Sequence, residues 1–255
     1  MAGAEPRLRR LRAVGTDLSV RLASAVVMVA VAGVALWLGG WVWLGFCGLV
    51  ALGVLWEWNR IVRAFGTGPL AEIAWLFGGA CYVGGATLAM VMVRNGPLIL
   101  PVRGVTFGFG ALEVVASFIL PVIAVDVGAY FAGRTIGGPK IAPAISPSKT
   151  WAGLGGGAIA ASLVAIFNEA FDIGPGAAIA GLSPAGIALA VAAGVLIAVI
   201  AQAGDFFESW MKRRAGVKDS SGLIPGHGGL FDRLDGFVAV FFVLFLVALL
   251  PAYLG

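Results

Sequence analysis

Five acids, five bases and the only histidine of the chain fall within residues 204–236, GDFFESWMKRRAGVKDSSGLIPGHGGLFDRLDG. Elsewhere charge is scarce, since 12% of the 255 residues are charged. The acids and bases of this segment alternate in small groups, which a like-charged solvated run does not do. A helix entering the segment places Asp205, Glu208, Ser209 and Lys212 at i, i+3, i+4 and i+7, on one face. Asp232 and Asp235, three apart at the start of the next apolar run, also share a face. Asp205, Asp232 and Asp235 therefore present carboxylates from two helix ends. Hard divalent cations such as magnesium take oxygen ligands of this kind and complete their shell with substrate phosphates. The plainer reading is that Asp232 and Asp235 complement a helix N-terminus, and that Asp205 marks where its helix leaves the lipid. Asp219, next to Lys218, either pairs with a base or assists the metal.

Lys212, Arg213, Lys218 and Arg233 are candidate phosphate ligands, Arg as a two-donor fork and Lys as a point charge. Basic residues that merely meet anionic headgroups would look similar, but headgroup attraction does not need the interleaved acids. His227 sits in the run Pro225-Gly226-His227-Gly228-Gly229, whose glycines let backbone N–H groups approach a ligand. It suits a general base, a donor to phosphate or a loop organiser. A second stretch, 126–153, reads DVGAYFAGRTIGGPKIAPAISPSKTWAG. Arg134, Lys140, Ser146, Ser148, Lys149 and Thr150 make it rich in donors, as a nucleotide or phosphate site requires. Pro139, Pro143 and Pro147 would equally build a structural turn, and both readings can hold.

Ser209, Lys212-Arg213, Lys218-Asp219, Leu223 to Gly229 (LIPGHGG) and Asp232-Arg233-Leu234-Asp235 resemble the signature of phosphatidate cytidylyltransferases, the CDP-diacylglycerol synthases. Asp126, Ala129-Tyr130, Gly133-Arg134 and Ser146-Pro147-Ser148-Lys149-Thr150-Trp151 are similar to an upstream motif of the same family. The family usually has Glu where this chain has Ala152, so no role is assigned to that acid. The resemblance implies transfer of cytidylyl from CTP to phosphatidate, with magnesium as cofactor and a second cation left open. It implies Asp205, Ser209, Lys212, Arg213, Asp219, His227 and Arg233 as the catalytic set. Asp126, Arg134, Ser146, Lys149, Thr150 and Lys218 would bind the nucleotide, and Asp205, Asp232 and Asp235 the metal. The implied partners are CTP, phosphatidate and membrane lipid, with no nucleic acid; a homodimer is left open. A lipid phosphomonoester is largely ionised near neutrality, its second pKa being about 6 by analogy with phosphorylated side chains. Its oxygen needs positioning more than proton removal, which favours His227 as donor or loop organiser.

These residues must be positioned by membrane helices. The chain is 60% hydrophobic, well above the roughly 45–50% of soluble domains, and its mean hydropathy is +1.00. Residues 22–56 run without charge, too long for one span of about 20 residues, and Gly39-Gly40 divides them in two. Further spans are expected at 73–93, 105–125, 150–168, 184–203 and 237–254, giving an all-α polytopic protein of about seven helices. Glu113 interrupts the fourth span, where an acid is a functional hypothesis by default; packing against other helices is the plainer account. Gly153, Gly157 and Ala161 recur every four residues, a face suited to close helix approach. Cys47 and Cys81 lie in apolar runs and read as small buried residues.

Seven spans place the N-terminus, 59–72, 126–149 and 204–236 on one side. That side holds fifteen of the seventeen Lys and Arg, the bias of cytoplasmic loops. Both motif stretches are thereby expected on one cytoplasmic face of a cell-membrane protein. A basic segment, 1–21, precedes a single transmembrane catalytic domain, 22–255. The basic start followed by an apolar run also fits a secretory signal, but the polytopic remainder favours a retained helix. Two other classes compete: a membrane nucleotidyltransferase or lipid kinase with another nucleotide or a polyprenol acceptor, and a transporter centred on Glu113. Transporters bind near the midplane, whereas the polar clusters here lie at helix ends.

Overall fold

Backbone that crosses lipid must satisfy its own polar groups, so apolar runs of this length become helices. A computed structural model describes residues 5–95, 98–99, 106–107, 110–171, 173 and 182–254. Helix α1 spans Glu5–Leu38, α2 Gly40–Arg63 and α3 Pro69–Asn95. A two-residue antiparallel pair follows, β1 (Leu98–Ile99) with β2 (Thr106–Phe107). Helix α4 (Ala111–Val114) passes through a π-helical turn, Val115–Ile119, into α5 (Leu120–Thr135). Helices α6 (Trp151–Ala170), α7 (Pro184–Arg214) and α8 (Phe231–Leu254) complete the chain. Among the described residues six helices are long and apolar enough to cross a membrane. Helix α8 adds the uncharged run 237–254 as a seventh. The protein is all-α and polytopic.

The break expected at Gly39-Gly40 is where α1 ends, with Gly39 at φ 63°. Asn95 and Arg94 fasten that turn: Gly40 N–H donates to Asn95 Oδ1 at 2.8 Å, and Arg94 Nε donates to the Leu36 carbonyl at 2.9 Å. Three boundaries differ from the sequence reading. Arg60, Arg63 and Glu72 belong to helices, leaving a connection of only a few residues between α2 and α3. Asp126 does not open a loop, because α5 runs on to Thr135; one acid does not end a helix whose neighbours stay apolar. Glu113 lies just before the membrane-length segment Val115–Thr135 and not within it. Its carboxylate accepts from the Gly110 N–H, capping its own helix start. Of the span expected at 105–125, residues 105, 108 and 109 lie outside the described residues, as does Asp172.

The middle of α1, the connections α5–α6 and α7–α8 and the α2–α3 end lie on one face. Ser24 of α1 touches the 225–227 segment, while the opposite ends of α1, α2 and α3 meet at Gly40 and Asn95. Asp205 lies 21 residues after Pro184, about 31 Å along the helix, the length of a hydrocarbon core of about 30 Å. Asp205 is the first charged residue along α7, and the charged turns of the helix follow it. On the same face, the Trp58 ring meets Trp75, Tyr82, Phe207 and Phe231 at centroid distances of 5.8–6.3 Å, locking α2, α3, α7 and α8 together.

Helices α5 and α6 cross almost backbone to backbone. The expected small-residue face takes part: a Cβ at Gly157 would lie 2.9 Å from the Val125 carbonyl, and Ala161 is fully buried. Gly128 and Gly156 approach just as closely. A Cβ on Gly128 would lie 2.5 Å from the Gly156 carbonyl, and one on Gly156 would collide with Ala132. Gly155, the next residue, faces open space. We expect Gly156→Leu to lower the thermal unfolding midpoint in detergent by several degrees and Gly155→Leu to leave it nearly unchanged. Equal midpoints for the two variants would contradict the crossing.

Candidate active site

Helices α5, α6, α7 and α8 enclose a cavity of about 640 Å³ at the charged face. Asp126, Tyr130 and Arg134 come from α5, at one-turn spacing along its inner side. Ser148, Lys149 and Thr150 come from the loop before α6, Gln202 and Asp205 from α7, and Asp232, Arg233 and Asp235 from α8. The two motif stretches, 126–153 and 204–236, have fifty residues of chain between them and share one cavity. Thr150 also caps α6, its Oγ1 accepting from Gly153 N–H at 3.0 Å.

Charge is unevenly matched inside. Lys149 Nζ is in direct contact with the Asp205 carboxylate. Ser209, one turn on, donates to the other Asp205 oxygen at 3.3 Å. Burial and then the charge on Asp205 push Asp235 up to about 7, against the opposing N–H of Gly236. Gln202 is buried in the wall, and its Nε2 has no hydrogen-bond partner among the described residues. The cavity thus holds crowded carboxylates and an unsatisfied donor.

Asp232 is differently placed. Its Oδ1 accepts from Lys212 Nζ at 2.6 Å, and Oδ2 accepts from the N–H groups of Ser220 and Gly229 at 2.9 and 2.8 Å, with Ser220 Oγ also 2.9 Å away. Burial raises its pKa, but the Glu208 and Lys212 side chains and those two N–H groups outweigh burial and hold it well below the usual carboxylate range. Lys212 also bridges to buried Glu208 at 2.5 Å. Both Asp232 oxygens are thus already engaged by the protein. Asp126, Asp205 and Asp235 line the same cavity with fewer protein donors on them than Asp232, Asp205 being met by Lys149 and Ser209. Among the described residues no three His, Cys, Asp or Glu side chains are already gathered around one point.

Several expected site residues lie outside the cavity lining. His227 Nδ1 lies 3.0 Å from Ser24 Oγ, and the His227 carbonyl accepts from Arg233 Nε and Nη2 at 3.1 and 2.8 Å. This is the loop-organiser geometry. Arg213 Nε donates to the Ile145 carbonyl at 3.4 Å, joining α7 to the α5–α6 loop. Ser146, a residue of that loop, is buried. Lys218 and Asp219 are exposed, with Asp219 beside Gly228.

The residue that sequence reasoning passed over is Glu57. It is fully buried on α2. Its carboxylate accepts from Leu230 N–H at 2.8 Å, Phe231 N–H at 2.6 Å, Ser220 Oγ at 3.0 Å and Ser221 Oγ. The first two are orphan donors at the start of α8. Gly229 must be glycine here, since a Cβ would strike Ser220 Oγ and lie 2.7 Å from Glu57 Oε1. The only hint in the sequence was an acid at the end of a 35-residue uncharged run. Removing Glu57 would leave the Leu230 and Phe231 N–H groups and Ser221 Oγ without this acceptor, while Ser220 Oγ keeps Asp232; a buried donor costs about 1–3 kcal/mol when unpaired. We expect Glu57→Ala to lower the thermal midpoint in detergent and to abolish activity, with Glu57→Gln intermediate; a wild-type midpoint for Glu57→Ala would contradict this role.

Residues 81–250 match the profile of the Cytidylyltransferase family. The phosphatidate cytidylyltransferase of Brucella suis biovar 1 is 33% identical over 261 residues, covering 91% of this chain and 93% of that protein. The Bacillus subtilis phosphatidate cytidylyltransferase is 34% identical over 180 residues, 70% of this chain and 59% of that protein. The Haemophilus influenzae one is 43% identical over 130 residues, 51% of this chain and 43% of that protein. On the extent of these matches, this chain belongs to the cytidylyltransferase family, alongside the phosphatidate cytidylyltransferases.

Proposed function

We propose that the protein transfers the cytidylyl group of CTP to phosphatidate, forming CDP-diacylglycerol and releasing pyrophosphate. A phosphatidate phosphate oxygen attacks the α-phosphorus of CTP, and the bond from that phosphorus to the bridging oxygen of the β-phosphate breaks. The carrying observation is the shared polar cavity: basic and acidic side chains from both motif stretches line it together, at the end of the bundle that carries most of the charge. A headgroup can reach that end while its acyl chains stay in lipid.

Each group has a task in this reading. Arg134, Lys149 and Arg233 line the cavity and offset the negative charge of the triphosphate and the lipid phosphate. The unpartnered Gln202 Nε2 offers a donor to a substrate oxygen. The Ser220–Asp232–Lys212–Glu208 network fixes the start of α8, and with it Arg233 and Asp235. The donor chemistry also fits magnesium. Asp126, Asp205 and Asp235 are carboxylates lining one cavity, and magnesium commonly needs only one or two from the protein, with substrate phosphates as the remainder. When bound, it would neutralise the triphosphate and orient the displacement. Asp232, committed to Lys212 and the loop, is better suited to holding the loop than to ligating a cation. A lipid kinase would use similar groups, but the family membership favours cytidylyl transfer.

We also place this face in the cytoplasm of a cell membrane, from the split of fifteen basic residues to two. Single cysteines at positions 148 and 220, in a chain lacking Cys47 and Cys81, should both label from the cytoplasmic side. Labelling from opposite sides would break the single-site reading. The reaction itself is tested with purified protein, CTP, phosphatidate and magnesium. Asp205→Asn should cut kcat by orders of magnitude, in line with loss of metal-based charge stabilisation worth several kcal/mol. Lys149→Ala should raise the KM for CTP or abolish turnover. Near-normal kinetics in both variants, with unchanged magnesium dependence, would remove the cavity from the reaction.

A further inference from the structure

A second cavity, of about 390 Å³, lies among α1, α2 and α8. Its lining is apolar apart from one residue, Arg233. Arg233 lines the polar cavity as well, so the two spaces meet at its side chain. From there the apolar cavity follows α8 through Leu234 and Phe237 to Phe241. Eight residues of helix span about 12 Å. On α2 the lining residue Trp43 lies 14 residues from Glu57, which bonds the start of α8, so the cavity reaches about 20 Å from the charged face, more than one leaflet of a hydrocarbon core of about 30 Å. Its inner end is rigid. Trp43 is 3% exposed, donates from Nε1 to the Met90 carbonyl at 3.0 Å and stacks on Phe46 at 5.6 Å.

A molecule that fills both spaces has an anionic head and an apolar chain of that length. We propose that the apolar cavity takes one acyl chain of the phosphatidate substrate, and that Trp43 at its floor sets the longest chain accepted. This rests on the reading of the protein as a phosphatidate cytidylyltransferase and adds a specificity determinant to it. Arg233 marks the boundary: its guanidinium is held by the His227 carbonyl at the level where the phosphate must pass from lipid to nucleotide. Ala32 of α1 lines the cavity wall, where added bulk narrows the channel without disturbing the packed floor.

The test measures kcat/KM in mixed micelles for a series of phosphatidates from dihexanoyl to dioleoyl, at saturating CTP and magnesium. Ala32→Trp should lower the ratio of dioleoyl to dihexanoyl kcat/KM on the order of tenfold, the scale of steric discrimination in apolar pockets. Trp43→Ala should move the preferred chain length upward. An active wild type whose Ala32→Trp variant keeps the wild-type ratio would overturn the acyl-chain assignment while leaving the reaction intact. A wild type that turns over no phosphatidate of any length would overturn the reading on which the assignment rests.

Discussion

A buried carboxylate at the head of the last helix is the constraint on which the charged face depends. Helix α8 starts without a Ser, Thr, Asp or Asn cap on its first N–H groups, at a depth where water is scarce. Donors left unpaired in such surroundings are costly. Glu57 of α2 satisfies two of them and also holds Ser220 and Ser221. Ser220 then passes the constraint on, because its backbone N–H donates to Asp232. Asp232 in turn holds Lys212 on α7. One side chain thus fixes the loop between α7 and α8, and with it the direction in which Arg233 and Asp235 point.

That arrangement leaves the charges at one end of the bundle, where a soluble nucleotide and a membrane substrate can meet. The polar cavity and the apolar cavity are neighbours with Arg233 between them. Close crossing of α5 and α6 through Gly128, Gly156 and Gly157 brings Asp126 and Arg134 against the loop that carries Lys149. Without those glycines the helices would stand further apart and the cavity would lose one wall. The small residues are therefore as much a part of the site geometry as the charged ones.

Much of this was legible in the sequence. The Gly39-Gly40 break, the continuation of the 184–203 span through Asp205 to Lys212, and the small-residue face at Gly153 and Gly157 follow from local pattern, and the helices obey it. The gathering of both motif stretches on one face follows from counting spans. What the sequence hid depends on tertiary partners. Glu57 looked like the residue at which an apolar run happens to stop, because its four donors come from more than 160 residues away. Asp126 looked like the start of a loop, because helix continuation was decided by apolar residues beyond it. Asp232 and Asp235 look equivalent by spacing and both line the cavity, yet Asp232 is saturated by Lys212, Ser220 and Gly229. Glu113 looked like an intramembrane acid because the local turn that it caps gives no pattern.

The central claim is that this cavity joins the α-phosphate of CTP to a lipid phosphate. The direct measurement uses purified protein with phosphatidate and magnesium and two labelled nucleotides, CTP carrying phosphorus-32 at the α or at the γ position. Cytidylyl transfer predicts that α-label enters the lipid phase and that γ-label leaves as pyrophosphate. Label from the γ position in the lipid, or no α-label there, would contradict the account.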